Sequence, residues 1–177
     1  VNDVLRFVTD EVSDCPLQQQ KLWVLKPSDA SNAYGIHFFP TSEARQVAEA
    51  VFGTKEGTES NEHGIVFVVQ LYIWPLLLDA LHSRKFHIRT LLLCRGGPLK
   101  QLDVFIYHES RVLVATEEWS PQDLSNKWIH ITNMSVNCNH ASYNAAEQNR
   151  SLVSVFGDER AKQIHDRMTD VTKEVMQ

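Results

Sequence analysis

Arg84-Lys85-Phe86-His87-Ile88-Arg89 is the stretch on which the fold turns. Alternate side chains of an extended strand share a face, so Lys85, His87 and Arg89 point one way while Phe86 and Ile88 pack the other way. Two fixed cations on one face of an otherwise apolar strand are costly to bury without an anionic partner. The alternation therefore reads either as one wall of an anion site or as a solvated strand face. Further on, His130-Ile131-Thr132-Asn133 again sets alternate polar side chains on a common face, and by itself it reads as structural capping.

Around this stretch the chain alternates between strand and helix signals. Val1, Val4, Leu5, Val8 and Val12 recur at helical spacing until Pro16 stops them. Leu22 to Leu25 and Gly35 to Phe39 read as two strands separated by a small polar loop, Pro27 to Ala33. Thr41 or Ser42 is the expected N-cap of a helix whose apolar stripe is Ala44, Val47, Ala48, Val51 and Phe52, closed by Gly53. After a polar, acidic loop from Lys55 to Gly64, Ile65 to Val69 reads as a strand covered on both faces. Phe86 to Cys94, Leu102 to Tyr107 and Arg111 to Ala115 follow as strands, the last two at hairpin spacing about a turn near His108 to Ser110. From about Ala145 the pattern turns helical, ending in an amphipathic helix marked by Ala161, Ile164, Met168, Val171 and Val175. The succession is that of a mixed α/β (α+β) protein.

Composition narrows the function classes. The chain has 177 residues, 43% apolar and 22% charged, which suits one core-bearing globular domain. A net charge of -5 argues against broad nucleic-acid binding. It also means that an acidic substrate would have to be held by a local basic patch. The longest apolar-rich run, Ile65 to Leu78, is interrupted by Gln70 and ended by Asp79, so no membrane span is expected. The N-terminus lacks the basic start and cleavage site of a signal peptide. Cys15, Cys94 and Cys138 are too scattered for a disulfide framework or a zinc site, and Cys94 reads as a small buried hydrophobe. These features together favour the cytosol.

Two more segments carry possible chemistry. Lys26 ends a strand, a small-residue loop follows, and Gly35 opens the next strand. A lysine charge with loop N–H donors is a workable phosphate grip, although a β-hairpin with a solvated lysine has the same spacing. Gln70-Leu71-Tyr72-Ile73-Trp74-Pro75 could present backbone groups to an adenine edge, yet alone it reads as a core strand meeting a proline turn. Neither G-x-x-x-x-G-K-[ST] nor G-x-G-x-x-G is present, so a nucleotide site would need another architecture.

Taken in order, Trp23-Val24-Leu25-Lys26-Pro27 to Gly35-Ile36, Val69 to Ile73, Pro75 to Leu78, Arg84 to Arg89 and His130 to Ser135 resemble tubulin tyrosine ligase-like proteins, with R-K-F-x-I-R followed by H-x-T-N the most specific part. The resemblance implies a partial ATP-grasp fold, with a central subdomain carrying the phosphate loop over about residues 1–75 and the start of a C-terminal subdomain over about 76–177. It implies ATP-dependent joining of a small amino acid to a protein carboxylate through an acyl-phosphate, with tubulin the default partner and a location in the cytoplasm or on its cytoskeleton. Lys26, Gly35, Gln70, Tyr72, Ile73, Lys85 and Thr132 would hold the nucleotide, while Arg89, His130 and Asn133 would line the catalytic face. Catalysis of this kind is positioning plus charge neutralisation by cations and magnesium. The family's magnesium-binding E-x-N is expected beyond Gln177, and Asp158, Glu159 and Asp166 on helical segments are poor substitutes.

The same resemblance exposes departures. His87 stands where the family has aspartate, Ala33 replaces a loop glycine, and Asn32 and Tyr34 stand where basic residues are frequent. Leu71 replaces the hinge lysine, and His108 lies near an expected arginine. They support an alternative reading, a pseudoenzyme that keeps the fold as a protein-interaction module, with or without nucleotide binding. A ligase acting on a small peptide is a more distant alternative.

Overall fold

The structure is a computed structural model that describes residues 2, 4–6, 8, 21–53, 66–97 and 103–176. The chain divides into two compact units, Val1–Trp74 with Pro121–Lys127, and Pro75–Ser120 with Trp128–Gln177.

The first unit is a sheet backed by a helix. Strands β1 (Leu22–Pro27), β2 (His37–Pro40) and β3 (Phe67–Leu71) form an antiparallel sheet in the order β2-β1-β3, with helix α1 at Ala44–Phe52. Leu22 to Leu25 is apolar throughout because β1 is the central strand, and all four residues are buried. Trp23, Leu25 and Phe39 meet Ala44 and Ala48 from α1 and Val4 and Val8 from the N-terminal helical residues. Val1, Val12 and Pro16 lie outside the described residues, as does the Lys55 to Gly64 loop.

Three local expectations change. A 3-10 turn, Thr41–Glu43, leads into α1, whose N-cap is Glu43 without a side-chain bond. Thr41 is not free to cap, because its hydroxyl accepts the Trp23 indole N–H at 2.9 Å. Leaving a buried indole donor unpaired costs more than a missing cap. The strand expected from Gly35 starts only at His37, because Asn32, Ala33 and Gly35 all have positive φ and form a turn. At Gly35 a Cβ would lie 2.8 Å from Pro27 Cγ, so glycine is required there. Ala33, with φ of 61°, stands in the left-handed region that glycine takes freely. Finally, β3 alternates rather than being covered on both faces: Phe67 and Val69 pack against the core while Val68 and Gln70 are exposed.

The second unit is organised on β7. Strands β4 (Phe86–Arg89), β5 (Leu92–Arg95), β6 (Asp103–Ile106), β7 (Arg111–Val114) and β8 (Asn149–Ser151) form an antiparallel sheet β4-β7-β8 and a separate ribbon β5-β6. The expected single strand from Phe86 to Cys94 thus breaks at Thr90-Leu91 and changes partner, and β6 and β7 are not a hairpin pair. Cys94 is exposed on the ribbon, not buried, as is Cys138 on its helix end, and both are free thiols. The helical pattern after Ala145 is also divided, into α4 (Ala145–Gln148), β8, α5 (Leu152–Phe156) and α6 (Asp158–Val175). Gly157, at φ 75°, makes the bend between α5 and α6. Val112, Val114 and Leu81 are wholly buried against Leu152 of α5 and Ala161 of α6, with Phe86, Ile88, Ile164 and Met168 packed around them. The helix stripe stops there, and Val171 and Val175 are exposed. Among the described residues no helix is long and apolar enough to cross a membrane.

Short helices α2 (Lys127–His130) and α3 (Met134–Asn137) flank the segment 131–133. Asn137, 0% exposed, fastens that segment to the end of β7. Its Oδ1 accepts from Thr116 N (2.9 Å) and Thr116 Oγ1 (2.6 Å), and its Nδ2 donates to the carbonyls of Ile131 (2.8 Å) and Asn133 (3.0 Å). Asn137→Ala would strand all of these groups in the interior. It is expected to lower unfolding free energy by about 3–5 kcal/mol, as read from denaturant titration; a loss below about 1 kcal/mol would mean that other groups hold the segment.

Candidate anion-binding face

Burying Phe86 and Ile88 against the helices commits the alternate residues of the β4 strand to the opposite face. Lys85 stands just before β4, and its carbonyl takes the Ala115 N–H at 2.8 Å, so the antiparallel ladder holds its backbone too. In register, His87 lies opposite Leu113 and Arg89 opposite Arg111. Lys85 and His87 are half-buried, and Arg89 is exposed.

The electrostatics follow from that placement. Burial pushes the Lys85 ammonium down to about 8, because a desolvated ammonium is penalised. His87 is also pushed down, first by burial and then by Arg89 and Lys85 nearby, so the imidazole is neutral at pH 7. Its Nδ1 lies 2.5 Å from Thr132 Oγ1, which joins the R-K-F-x-I-R strand to the H-x-T-N segment through one hydrogen bond. Two arginines directly opposite on adjacent strands repel. Arg111 turns toward β8 instead, donating from Nε to Asn149 Oδ1 (2.9 Å) and from Nη2 to the Asn149 carbonyl (3.1 Å).

The remaining residues anticipated in this unit divide by burial. His130 and Thr132 are buried, and Thr132 meets His87. Asn133 is half-buried at the N-cap position of α3, yet its side chain makes no cap bond; its carbonyl accepts from the N–H groups of Val136 and Asn137. His108 is exposed and lies 3.8 Å from Glu109 in a surface pair. In the first unit, Lys26 is half-buried on β1 opposite Val68, and Gly35 closes the turn after it. Gln70 and Ile73 are exposed, whereas Tyr72 is buried with its ring edge-on to Phe38 at 5.7 Å.

Chemically, Lys85, Arg89, a neutral imidazole and a buried hydroxyl make a face suited to a phosphate or carboxylate oxygen, with charge from the first two and directional bonds from the others. Such a set fits the phosphates of a nucleotide. Among the described residues no three His, Cys, Asp or Glu side chains gather to hold a metal ion. Sequence reasoning missed Asn137 and Arg111. The first stands four residues after Asn133, a helical spacing that was legible; the second depends on strand register, which was not.

Comparison with known proteins gives the family. The chain is 27% identical over 191 residues to a Saccharomyces cerevisiae protein named "probable tubulin–tyrosine ligase", covering 89% of this chain and 24% of that one. It is 28% identical over 189 residues to a Schizosaccharomyces pombe protein of the same description, covering 87% of this chain and 45% of the relative. With a tubulin polyglutamylase of Xenopus tropicalis the identity is 27% over 135 residues, covering 73% of this chain and 12% of the relative. The chain therefore spans less than half the length of each of these relatives. The model of the tubulin-tyrosine ligase family matches residues 3–176, which include both the R-K-F-x-I-R strand and the H-x-T-N segment, and the chain belongs to that ATP-grasp-like family.

Proposed function

We propose that this chain supplies the phosphate- and carboxylate-handling part of an ATP-dependent ligase that joins an amino acid to a protein carboxylate, with tubulin the substrate indicated by the names of its relatives. The observation that carries the reading is the His87–Thr132 contact, which sets Lys85, Arg89 and the 130–133 segment into one unit. In this reading Lys85 neutralises nucleotide phosphate, Arg89 orients the reacting carboxylate, and Thr132 and Asn133 offer hydrogen bonds to it. ATP would supply the activating phosphoryl group. Lys26 and the Gly35 turn of the first unit are assigned to phosphate, and Gln70, Tyr72 and Ile73 to the adenine edge, in the intact protein.

A second reading has its own observation. His87 is a neutral imidazole between two cations, where a carboxylate would have offset their charge. A chain with that change can keep anion binding while losing turnover, and serve as an interaction module.

Two measurements test these readings, the first the anion site they share and the second which of them holds. ATP affinity of the intact protein should fall about tenfold on Lys85→Ala and on Lys26→Ala, the worth of one charged contact. The Lys85 contribution also has a pH signature. Anion binding needs the ammonium, which is retained below about pH 8 and lost above it. Affinity should therefore hold from pH 6 to 7.5 and decline above about 8 by about tenfold in all, the same loss as in Lys85→Ala, with Lys85→Arg abolishing the decline. Affinity unchanged by either alanine, or a decline that survives Lys85→Arg, removes the assignment. For the second reading, His87→Asp is expected to raise ATP-dependent incorporation of a labelled amino acid into tubulin. Robust incorporation by the natural protein that disappears in His87→Asp would show that the imidazole itself takes part.

A further inference from the structure

The turn that ends β7 carries a second bracket on the 130–133 segment, beside the one that Asn137 makes. Glu117 follows Thr116 directly, and His140 stands three residues after Asn137. His140 Nε2 lies 2.9 Å from Glu117 Oε1. The Glu117 N–H donates to the Trp128 carbonyl at 3.2 Å, and the Trp128 ring meets the His140 ring edge-on at 5.0 Å. Trp128 belongs to α2, which leads into the segment, and His140 lies just past α3, which leads out of it. Glu117 therefore holds both ends.

The other ring nitrogen decides where the proton sits. The Ser142 backbone N–H donates to His140 Nδ1 at 3.1 Å. A backbone N–H can only donate, so Nδ1 offers its lone pair and the ring proton is on Nε2. The contact with Glu117 is thus an imidazole N–H donating to a carboxylate, not an imidazolium ion pair. Both ring nitrogens are engaged, which leaves no free lone pair to take a proton from a substrate. The two side chains are also 20% and 37% exposed, and a pair so open to water adds little to stability. What the contact contributes is geometry.

We propose that His140, as the Nε2–H tautomer, is a positioning residue for the His87–Thr132 contact. Thr132 lies between the two ends that Glu117 holds, while His87 is placed by the β4–β7 ladder, which Ala115 extends by donating to Lys85. Both partners of the contact are thereby referred to one stretch of backbone, residues 113–117. Loss of the His140 ring releases one end of the segment, and Thr132 withdraws from His87. The consequence for ligand binding rests on the reading of this face as a nucleotide site; the positioning itself does not.

Histidine-selective 15N labelling of the intact protein tests it, with the His87 and His140 ring signals assigned by substitution. In the natural protein His140 should show a protonated Nε2 and a bare Nδ1. His140→Ala should shift the His87 ring signals and weaken ATP binding by about threefold, the low end of couplings between neighbouring groups. His140→Gln should leave the His87 signals in place and ATP affinity within about 1.5-fold, because its carboxamide N–H can replace the Nε2–H donor to Glu117. A proton on Nδ1, or on both nitrogens, overturns the proposal. So do His87 signals that ignore His140→Ala or move equally in His140→Gln, and so does an ATP affinity that His140→Ala leaves unchanged. If the spectra come out as expected and the natural protein binds no ATP, the nucleotide reading falls while the positioning role stands.

Discussion

Val112 and Val114 are wholly buried between the sheet and its helices, and most of the second unit follows from that burial. Because strand side chains alternate, fixing these two valines inward fixes Leu113 and Arg111 outward, and register then carries the same division to β4. Phe86 and Ile88 join the core while His87 and Arg89 face away. A slip of one residue would bury the charged set and expose the apolar one, so the hydrophobic core specifies the polar face.

What the polar face then does is a matter of desolvation. Lys85 is held half-buried by a backbone bond to Ala115, and its ammonium pays for that burial with a value near 8. An anion arriving beside it would restore the charged form, so a position unfavourable in the free protein becomes favourable in the bound one. His87 contributes differently. Its burial and two cationic neighbours keep it uncharged, and an uncharged imidazole can share a proton with Thr132 where a third cation would only add repulsion. The bond brings a second segment, otherwise anchored by Asn137, up to the strand.

Much of this was written in local pattern. Alternation at 84–89 predicted the division between core and charged face, and the stripe of α1 and the first turns of α6 followed helical spacing. Ala33 at a left-handed position agrees with its place in a loop where glycine is expected. What escaped was pairing at a distance. Phe86 to Cys94 is one apolar run, and nothing local says that it changes partner at Thr90. Neighbouring strands at hairpin spacing suggested β6 with β7, but β7 spends its edges on β4 and β8. Thr41 lost its cap role to Trp23, a residue far away in sequence. Cys94 looked buried because β5 is apolar, yet that ribbon is exposed. The residue types of the candidate face were legible, while the bond that joins His87 to Thr132 needed the fold.

Through His87 and Thr132 the strand motif and the 130–133 segment are expected to act as one unit. A double-mutant cycle with His87→Ala, Thr132→Val and the pair, read in both stability and ATP affinity, tests it most directly. A coupling of about 1 kcal/mol or more is expected in each readout. Additivity within about 0.3 kcal/mol in both would show that the two segments lie side by side without acting together, and would contradict the account.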